Sequence, residues 1–365
     1  MQVMRKIVRI FFIIINALLV IALLLSSIAG WIAPSKCVWI SLLSYGFFPL
    51  VAVNAVCVLL WLFFKRWEFL ISLVAILLRC GMIPAFVQIG GTTEPPVSES
   101  RSKAEELKVM TYNLHGFHGK TEEYGGEEEN AARFVDAVRL TEPDVICAQE
   151  MLDGGKFSVT DSLKALGYKY QHSATTDGRG RPYGATIFSR CRMDYVQVID
   201  KSGRKIYADI TKDDIKVRVV CVHMSSYSLG MEDKEVLHDI RHNDIDTAKT
   251  RKLFSKVKRN VLNHEEEWKE ELEGVVAEAP HAMIVAGDFN DTPASHLYYK
   301  MSKRLKDSYV EQGRGLGITY NGVHPRYRID YIFHSKELKA IAYKRLESNF
   351  SDHDGVVAVM VRSEE

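Results

Sequence analysis

AMIVAGDFND, residues 282–291, carries five apolar residues into Gly287, then an acid, an aromatic and an amide. A short apolar run bounded by glycine predicts a buried strand. The polar groups at its end are costly to bury unless they are used. The same event recurs on both sides of this stretch. Val109–Tyr112 runs into Asn113, Val145–Gln149 into Glu150, and Val217–Val222 into His223. Asp330 opens the apolar run Tyr331-Ile332-Phe333, and Ser351-Asp352-His353 stands just before the last one. Each has an ordinary explanation taken singly: a turn asparagine, a helix-start acid, a satisfied histidine, an edge charge. Six such strand ends in one domain predict groups converging on one rim of a sheet, where binding sites form.

Beyond residue 106 the pattern alternates short β runs with amphipathic helices, which predicts an α/β domain over 107–365. Strands are expected at Leu107–Leu114, Asp144–Ala148, Ala185–Ser189, Lys216–Met224, Ala282–Ala286, Ile329–His334 and Val356–Val361. Helices are expected near Glu127–Leu140, Ser158–Leu166 and Ala294–Arg304, and within the charged stretch Glu232–Glu273. The six cysteines show no spacing of a zinc site or a disulfide framework and read as small buried hydrophobes.

Residues 1–89 are of another kind. They carry seven basic side chains and one acidic, Glu68; of the chain's 47 and 46 that leaves 40 basic and 45 acidic beyond residue 89, a balance of −5. Duplex binding asks for a clear positive excess, so this balance does not favour nucleic acid as a partner. Three apolar stretches, about 7–33, 38–64 and 67–89, are each long enough to cross a bilayer and predict an integral membrane anchor. Arg5, Lys6 and Arg9 precede the first, only Lys36 lies in the first loop, and Lys65 and Arg66 lie in the second. That bias places the N-terminus in the cytoplasm and, after three spans, the catalytic domain on the outer (periplasmic or extracellular) side of the cell membrane. The weak point of the third stretch is Arg79, costly in mid-bilayer unless it faces the other helices. Residues 90–106, rich in Gly, Pro, Ser and Thr, read as a flexible linker.

The ordered series TYNLHG, AQE, VHM, GDFND, RIDYIF and SDHDGV resembles the endonuclease/exonuclease/phosphatase superfamily, in particular its deoxyribonuclease-like and sphingomyelinase-like metal-dependent phosphohydrolases. The resemblance covers roughly residues 107–362 and is most specific in GDFN followed by SDH. It implies a four-layer sandwich of two mixed β-sheets flanked by helices, here preceded by the helical anchor. It implies that Glu150, with Asn113 and Asp352, holds a divalent metal, and that His223 contacts the phosphate. Asp288 and Asn290 would orient the attacking water and hold phosphoryl oxygens, and Asp330 would set the tautomer of His353. The residue types suit that chemistry independently. A hard cation neutralises a phosphoester and stabilises its leaving oxygen. Mg²⁺, with Mn²⁺ as the substitute, takes carboxylate and amide oxygens rather than thiolates.

The sequence departs from some members of the family. No lysine follows Glu150 until Lys156, and Asp354-Gly355 stands where many members have proline after the histidine of SDH. The first departure weakens a DNA-repair reading. The loop Asp177–Gly184 could bring Arg179 or Arg181 to a phosphate, or be an exposed turn. The expectation is a membrane-anchored phosphoesterase acting on a phosphodiester or phosphomonoester by direct water attack, with a lipid headgroup or a nucleotide among its substrates. The competing readings are a nuclease of the same superfamily and a catalytically inactive membrane-anchored binding protein. The oligomeric state is not legible.

Overall fold

The computed structural model describes residues 2–95, 105–119, 125–154, 156–178, 181–227, 236, 246–322 and 326–363. The chain divides into two compact units, one of Met1–Phe86, Ser228–Glu265 and Thr292–Lys300, the other of Val87–Tyr227, Glu266–Asp291 and Met301–Glu365.

The second unit holds two six-stranded sheets. Its strands are β1 (Val87–Gln88), β2 (Leu107–Asn113), β3 (Val145–Leu152), β4 (Tyr170–Gly178), β5 (Arg181–Ser189), β6 (Arg192–Val198) and β7 (Lys205–Lys212). They continue with β8 (Ile215–His223), β9 (Ala282–Asp288), β10 (Lys306–Asp307), β11 (Gly315–Leu316), β12 (Asp330–His334), β13 (Leu338–Leu346) and β14 (Gly355–Arg362). One sheet runs β10-β12-β9-β8-β7-β6 and the other β13-β14-β2-β3-β5-β4. Each is mixed, with one parallel pair at its centre, β8 with β9 and β2 with β3. All seven expected strands are present.

Side chains alternate faces along a strand, and the alternation shows where the core lies. Leu107 and Val109, Val145 and Cys147, Val217, Val219 and Cys221, Ile284 and Ala286, and Ile332 form one buried cluster drawn from both sheets. A second cluster joins the helices Glu127–Thr141 and Val159–Ala165 to the other face of the β2-containing sheet through Phe134, Val138 and Leu163. The architecture is therefore mixed sheets flanked by helices. Residues 87–92 belong to this unit: β1 pairs with β11, and the Tyr343 N–H donates to the Thr92 carbonyl at 2.9 Å. Residues 96–104 of the expected linker lie outside the described residues.

The first unit contains the helices Gln2–Ile28, Val38–Leu43, Phe47–Phe63 and Phe69–Arg79, the last continued by a 3₁₀ segment Cys80–Ala85. Two helical stretches, Val3–Trp31 and Val38–Phe63, are long and apolar enough to cross a membrane, and Phe69–Ala85 is a shorter apolar one. Of the three expected spans, the first two are thus helices of spanning length and the third is shorter, because Pro84 and the tighter 3₁₀ turns end its α-helical part at Arg79. The polar residues of these helices meet one another. The Ser72 hydroxyl lies 2.6 Å from Asn16 Oδ1 and 2.7 Å from Asn54 Oδ1, with all three side chains buried. Arg9 pairs with Glu68, and the Arg79 guanidinium stacks on Trp31 with its carbon 4.9 Å from the ring centre.

Later parts of the chain complete this unit. Ala294 is buried with Leu23, Phe47 and Ala75. His296 Nδ1 lies 2.8 Å from the Gly30 carbonyl, and the Ser35 N–H donates to Glu265 at 2.7 Å. The helix expected over Glu232–Glu273 is seen as Thr247–Glu267, followed by a five-residue π-helical turn, Trp268–Leu272. Most of its first third lies outside the described residues.

Candidate functional site

The faces that build the inter-sheet core also build the site. Continuing the alternation past the last core residue gives His223 on β8, Asp288 on β9, Asp330 at the start of β12 and, beyond Thr111, Asn113 on β2. Strand register sets three of these side by side, since Asp288 is paired with His223 on one flank and Asp330 on the other. Gly287 allows this close pairing, because a Cβ there would run into the Val222 carbonyl.

Glu150 breaks the alternation and is brought in by a bulge. Val145, Cys147 and Gln149 point to the core, so an unbroken strand would turn residue 150 away from it. The register of β3 with β5 shifts between Ala148 and Met151, and Glu150 has φ +50°. A bulge of this kind re-aims a side chain. Asn290, His115 and Phe117 also have positive φ, so backbone strain gathers at these strand ends.

The groups converge through hydrogen bonds. The Asn113 amide donates to Asp288 Oδ2 at 2.9 Å and to Glu150 Oε1 at 3.1 Å, while its own oxygen accepts the His115 N–H at 3.0 Å. Asn113 thus ties the two sheets together. Asn290 donates to Asp288 Oδ2 and to the Met224 carbonyl, each at 3.1 Å. His223 Nε2 lies 3.5 Å from Glu150 and 3.8 Å from Asp288. His353 Nδ1 is 2.9 Å from Asp330 Oδ2, and its Nε2 faces Asp288 at 3.7 Å. Asp352 pairs with His115 at 3.3 Å. The other oxygen of Asp330 is buried with no hydrogen-bond partner among the described residues.

Burial and crowding divide the protons unequally. Burial, with Asp330 close by, pushes the Asp288 carboxyl up to about 7, although His353 opposes the shift. Burial would discharge His353, but Asp330 and Asp288 together hold it well above the usual histidine range. Burial pushes His223 down, only partly offset by Glu150. Burial would raise Glu150, yet His223, the Tyr183 hydroxyl and Asn113 hold it below the usual carboxylate range. The result is one charged imidazolium among several acids, a deficit of positive charge that a cation would fill. Asp288, Asp330 and His353 have ligand atoms within 4.8 Å of one another and could hold a metal ion.

Two participants were not assigned from sequence. The Tyr183 hydroxyl donates to Glu150 Oε2 at 2.7 Å, but within the strand sequence RPYGATIFS a tyrosine reads as core. His115 lies inside TYNLHG and reaches Asp352, although nothing in its spacing marks it. Arg181 is paired with Glu127, at 2.6 and 2.9 Å, and Arg179 lies outside the described residues.

Residues 110–353 match the Endonuclease/Exonuclease/phosphatase family. The chain belongs to it. Residues 8–86 match a domain of unknown function, DUF8431. Among solved structures, the family's member from Beutenbergia cavernae is 19% identical over 71% of this chain and 72% of its own, with a TM-score of 0.50. ANGEL2, a 2′,3′-cyclic phosphatase solved with adenosine-2′,3′-vanadate, is 14% identical over 70% and 96%, with a TM-score of 0.50. At these identities the likeness is one of fold. A search of the curated proteins finds no match. The family and the acid–histidine cluster together support a metal-dependent hydrolase, and the two apolar N-terminal helices are consistent with membrane association.

Proposed function

We propose that this chain is a membrane-anchored, divalent-metal-dependent phosphoesterase that cleaves a phosphodiester or phosphomonoester by direct attack of water. The observation that carries the reading is the set of acids Glu150, Asp288 and Asp330, on three strands of two sheets, converging with one charged histidine.

The donor set fits a hard cation: it offers carboxylate and amide oxygens, and both cysteines near the core, Cys147 and Cys221, are buried away as thiols. Glu150, with Asp352, would hold it, joined by Asn113 once its amide turns to bring the oxygen toward Glu150 in place of the nitrogen, because Glu150 stays ionised while His353, in the alternative cluster, is charged and committed to Asp330. Mg²⁺, or Mn²⁺ in its place, would neutralise the phosphoryl oxygens and stabilise the leaving oxygen. Asp288, with a proton affinity near neutrality, is suited to take the proton of the attacking water. His353, charged and fixed by Asp330, is suited to a phosphoryl oxygen, and His223, largely neutral, to a second.

The anchor reading includes the short third segment as a span. Arg9 beside Glu68 and Arg79 on Trp31 align Phe69–Ala85 with the first helix near both its ends. The loop after the first helix bonds, through Ser35 and Gly30, to Glu265 and His296. Those two residues follow residue 90, which favours an odd number of crossings before them. With the basic residues at the N-terminus and second loop held in the cytoplasm, the catalytic sequence lies outside. There a lipid headgroup or a nucleotide meets the site more often than genomic DNA does.

The test is hydrolysis by the full chain in detergent, with Mg²⁺ and with EDTA, of bis-p-nitrophenyl phosphate, p-nitrophenyl phosphate, sphingomyelin, an inositol phosphate and plasmid DNA. Metal-dependent cleavage of one of the first four is expected. Cleavage of DNA alone would replace the reading with a nuclease, and no turnover on any would favour the binding-protein reading. For sidedness, a C-terminal alkaline phosphatase fusion should be active; an inactive one would overturn the outer placement.

A further inference from the structure

Behind the strand ends lies a buried charge network that the chemistry above does not use. Lys205, fully buried at the start of β7, has its ammonium 3.0 Å from Glu267 and 2.8 Å from Glu271. Glu267 is itself buried, and it closes the helix Thr247–Glu267 where the π-helical turn begins. Such turns inside helices are rare and occur often at functional sites. Taking charges of opposite sign out of water into a core is costly before they attract each other, so the network calls for a use.

Glu267 faces the loop that leaves β8. Its Oε2 accepts the Ser225 N–H at 3.2 Å, and its Oε1 accepts the Ser225 hydroxyl. Arg204 reinforces the grip, donating to Ser225 Oγ at 2.9 Å and lying 3.3 Å from Glu267. Its carbonyl accepts the His223 N–H at 2.9 Å. Met224, held between these two fixed residues, makes the connection to the site. Its N–H donates to the Asp288 carbonyl at 2.9 Å, and its carbonyl accepts from the Asn290 amide at 3.1 Å. With Asp288 Oδ2 as the other acceptor, both hydrogens of that amide are committed. The Asn290 carbonyl oxygen is therefore the atom left to meet a ligand.

We infer that Glu267 is a positioning residue, which fixes His223–Ser225 and thereby sets the aim of His223 and the orientation of the Asn290 amide. The inference rests on the reading of His223, Asp288 and Asn290 as catalytic groups. Glu271 supplies an internal control, because it shares Lys205 as a partner and makes no bond to residues 223–225 among those described.

The experiment uses the full chain in detergent with Mg²⁺ and bis-p-nitrophenyl phosphate, comparing Glu267→Gln, Glu267→Ala, Ser225→Ala and Glu271→Gln. A displacement near 1 Å at a catalytic group can cost about a hundredfold. Accordingly Glu267→Ala should lower kcat roughly tenfold to a hundredfold at unchanged KM. Glu267→Gln should recover part of the loss, Ser225→Ala should lie between it and wild type, and Glu271→Gln should match wild type. Amide hydrogen exchange at Met224 and Ser225 should quicken in Glu267→Ala and stay slow in Glu271→Gln. Equal losses of kcat and melting temperature in the 267 and 271 variants would overturn the inference, leaving only a structural ion pair. Should Glu267→Ala not fold, Ser225→Ala decides by the same readouts. A wild-type chain without turnover would remove the phosphoesterase reading, while exchange at 224–225 would still judge the clamp.

Discussion

The molecule buries two polar clusters, and they are built to opposite ends. In the helical unit Ser72, Asn16 and Asn54 meet as neutral groups, hydroxyl to amide oxygen, and Asn54 also donates to the Leu50 carbonyl at 2.9 Å. In the sheet unit Glu150, Asp288, Asp330 and His353 are ionisable and crowded, three acids around one histidine. A cluster of neutral groups specifies how helices pack. A charged cluster left open is unstable alone and invites a cation and an anionic substrate. Burial of polar groups by itself thus says little about function; what matters is whether the groups are neutral or ionisable.

The largest test of this contrast is loss of chemistry. Asp288→Ala and His353→Ala should each lower kcat by on the order of 10³-fold or more, with circular dichroism unchanged, whereas Ser72→Ala should leave kcat as it is. Full activity in both site variants would erase the distinction. Next comes cation binding, measurable without turnover. At Mg²⁺ or Mn²⁺ a hundredfold above its Kd, thermal stability should rise by about 2.7 kcal/mol. The gain should vanish in Glu150→Gln and persist in Ser72→Ala.

A smaller effect follows from acid. Burial would raise Glu267, but Lys205, the Ser225 hydroxyl and Arg204 hold it below the usual range. Its folded value is depressed, so its contribution is fully present above the unfolded glutamate value of about 4.3 and disappears as pH falls through the folded one. The melting-temperature gap between wild type and Glu267→Gln should be widest above about pH 5 and close in stronger acid. A gap independent of pH would show that Glu267 acts by shape alone. Smallest is Ser72→Ala itself, which removes a donor shared by two amide oxygens and should cost about 1 kcal/mol in detergent unfolding.

The sequence disclosed the strands whose apolar runs cross the centre of each sheet, because a buried strand between two layers has little room for polar residues. It hid four others. β4, β6 and β13 are edge strands, and β6 is mostly exposed, so polar residues dilute their apolar pattern. β7 begins with Lys205, a residue that no pattern would place in a core, and its charge is made tolerable only by glutamates more than sixty residues away. The site was legible for the same reason the central strands were: Asn113, His223, Asp288 and Asp330 interrupt apolar runs. Tyr183 interrupts nothing, and the clamp at Glu267 depends on a long-range pairing with no local trace. The helix expected near Ala294–Arg304 is seen at His296–Ser302, yet nothing local to it foretold that Ala294 would be buried against Leu23, Phe47 and Ala75.

That last contact orders events during synthesis. The apolar helices are complete once Phe86 has been made, but the residues that finish their unit, Thr292–Lys300, emerge more than two hundred residues later. At 5–20 residues per second the ribosome needs about 10–40 s to reach them. For that interval the face around Leu23, Phe47 and Ala75 must wait for its covering, made long before the residues that close it.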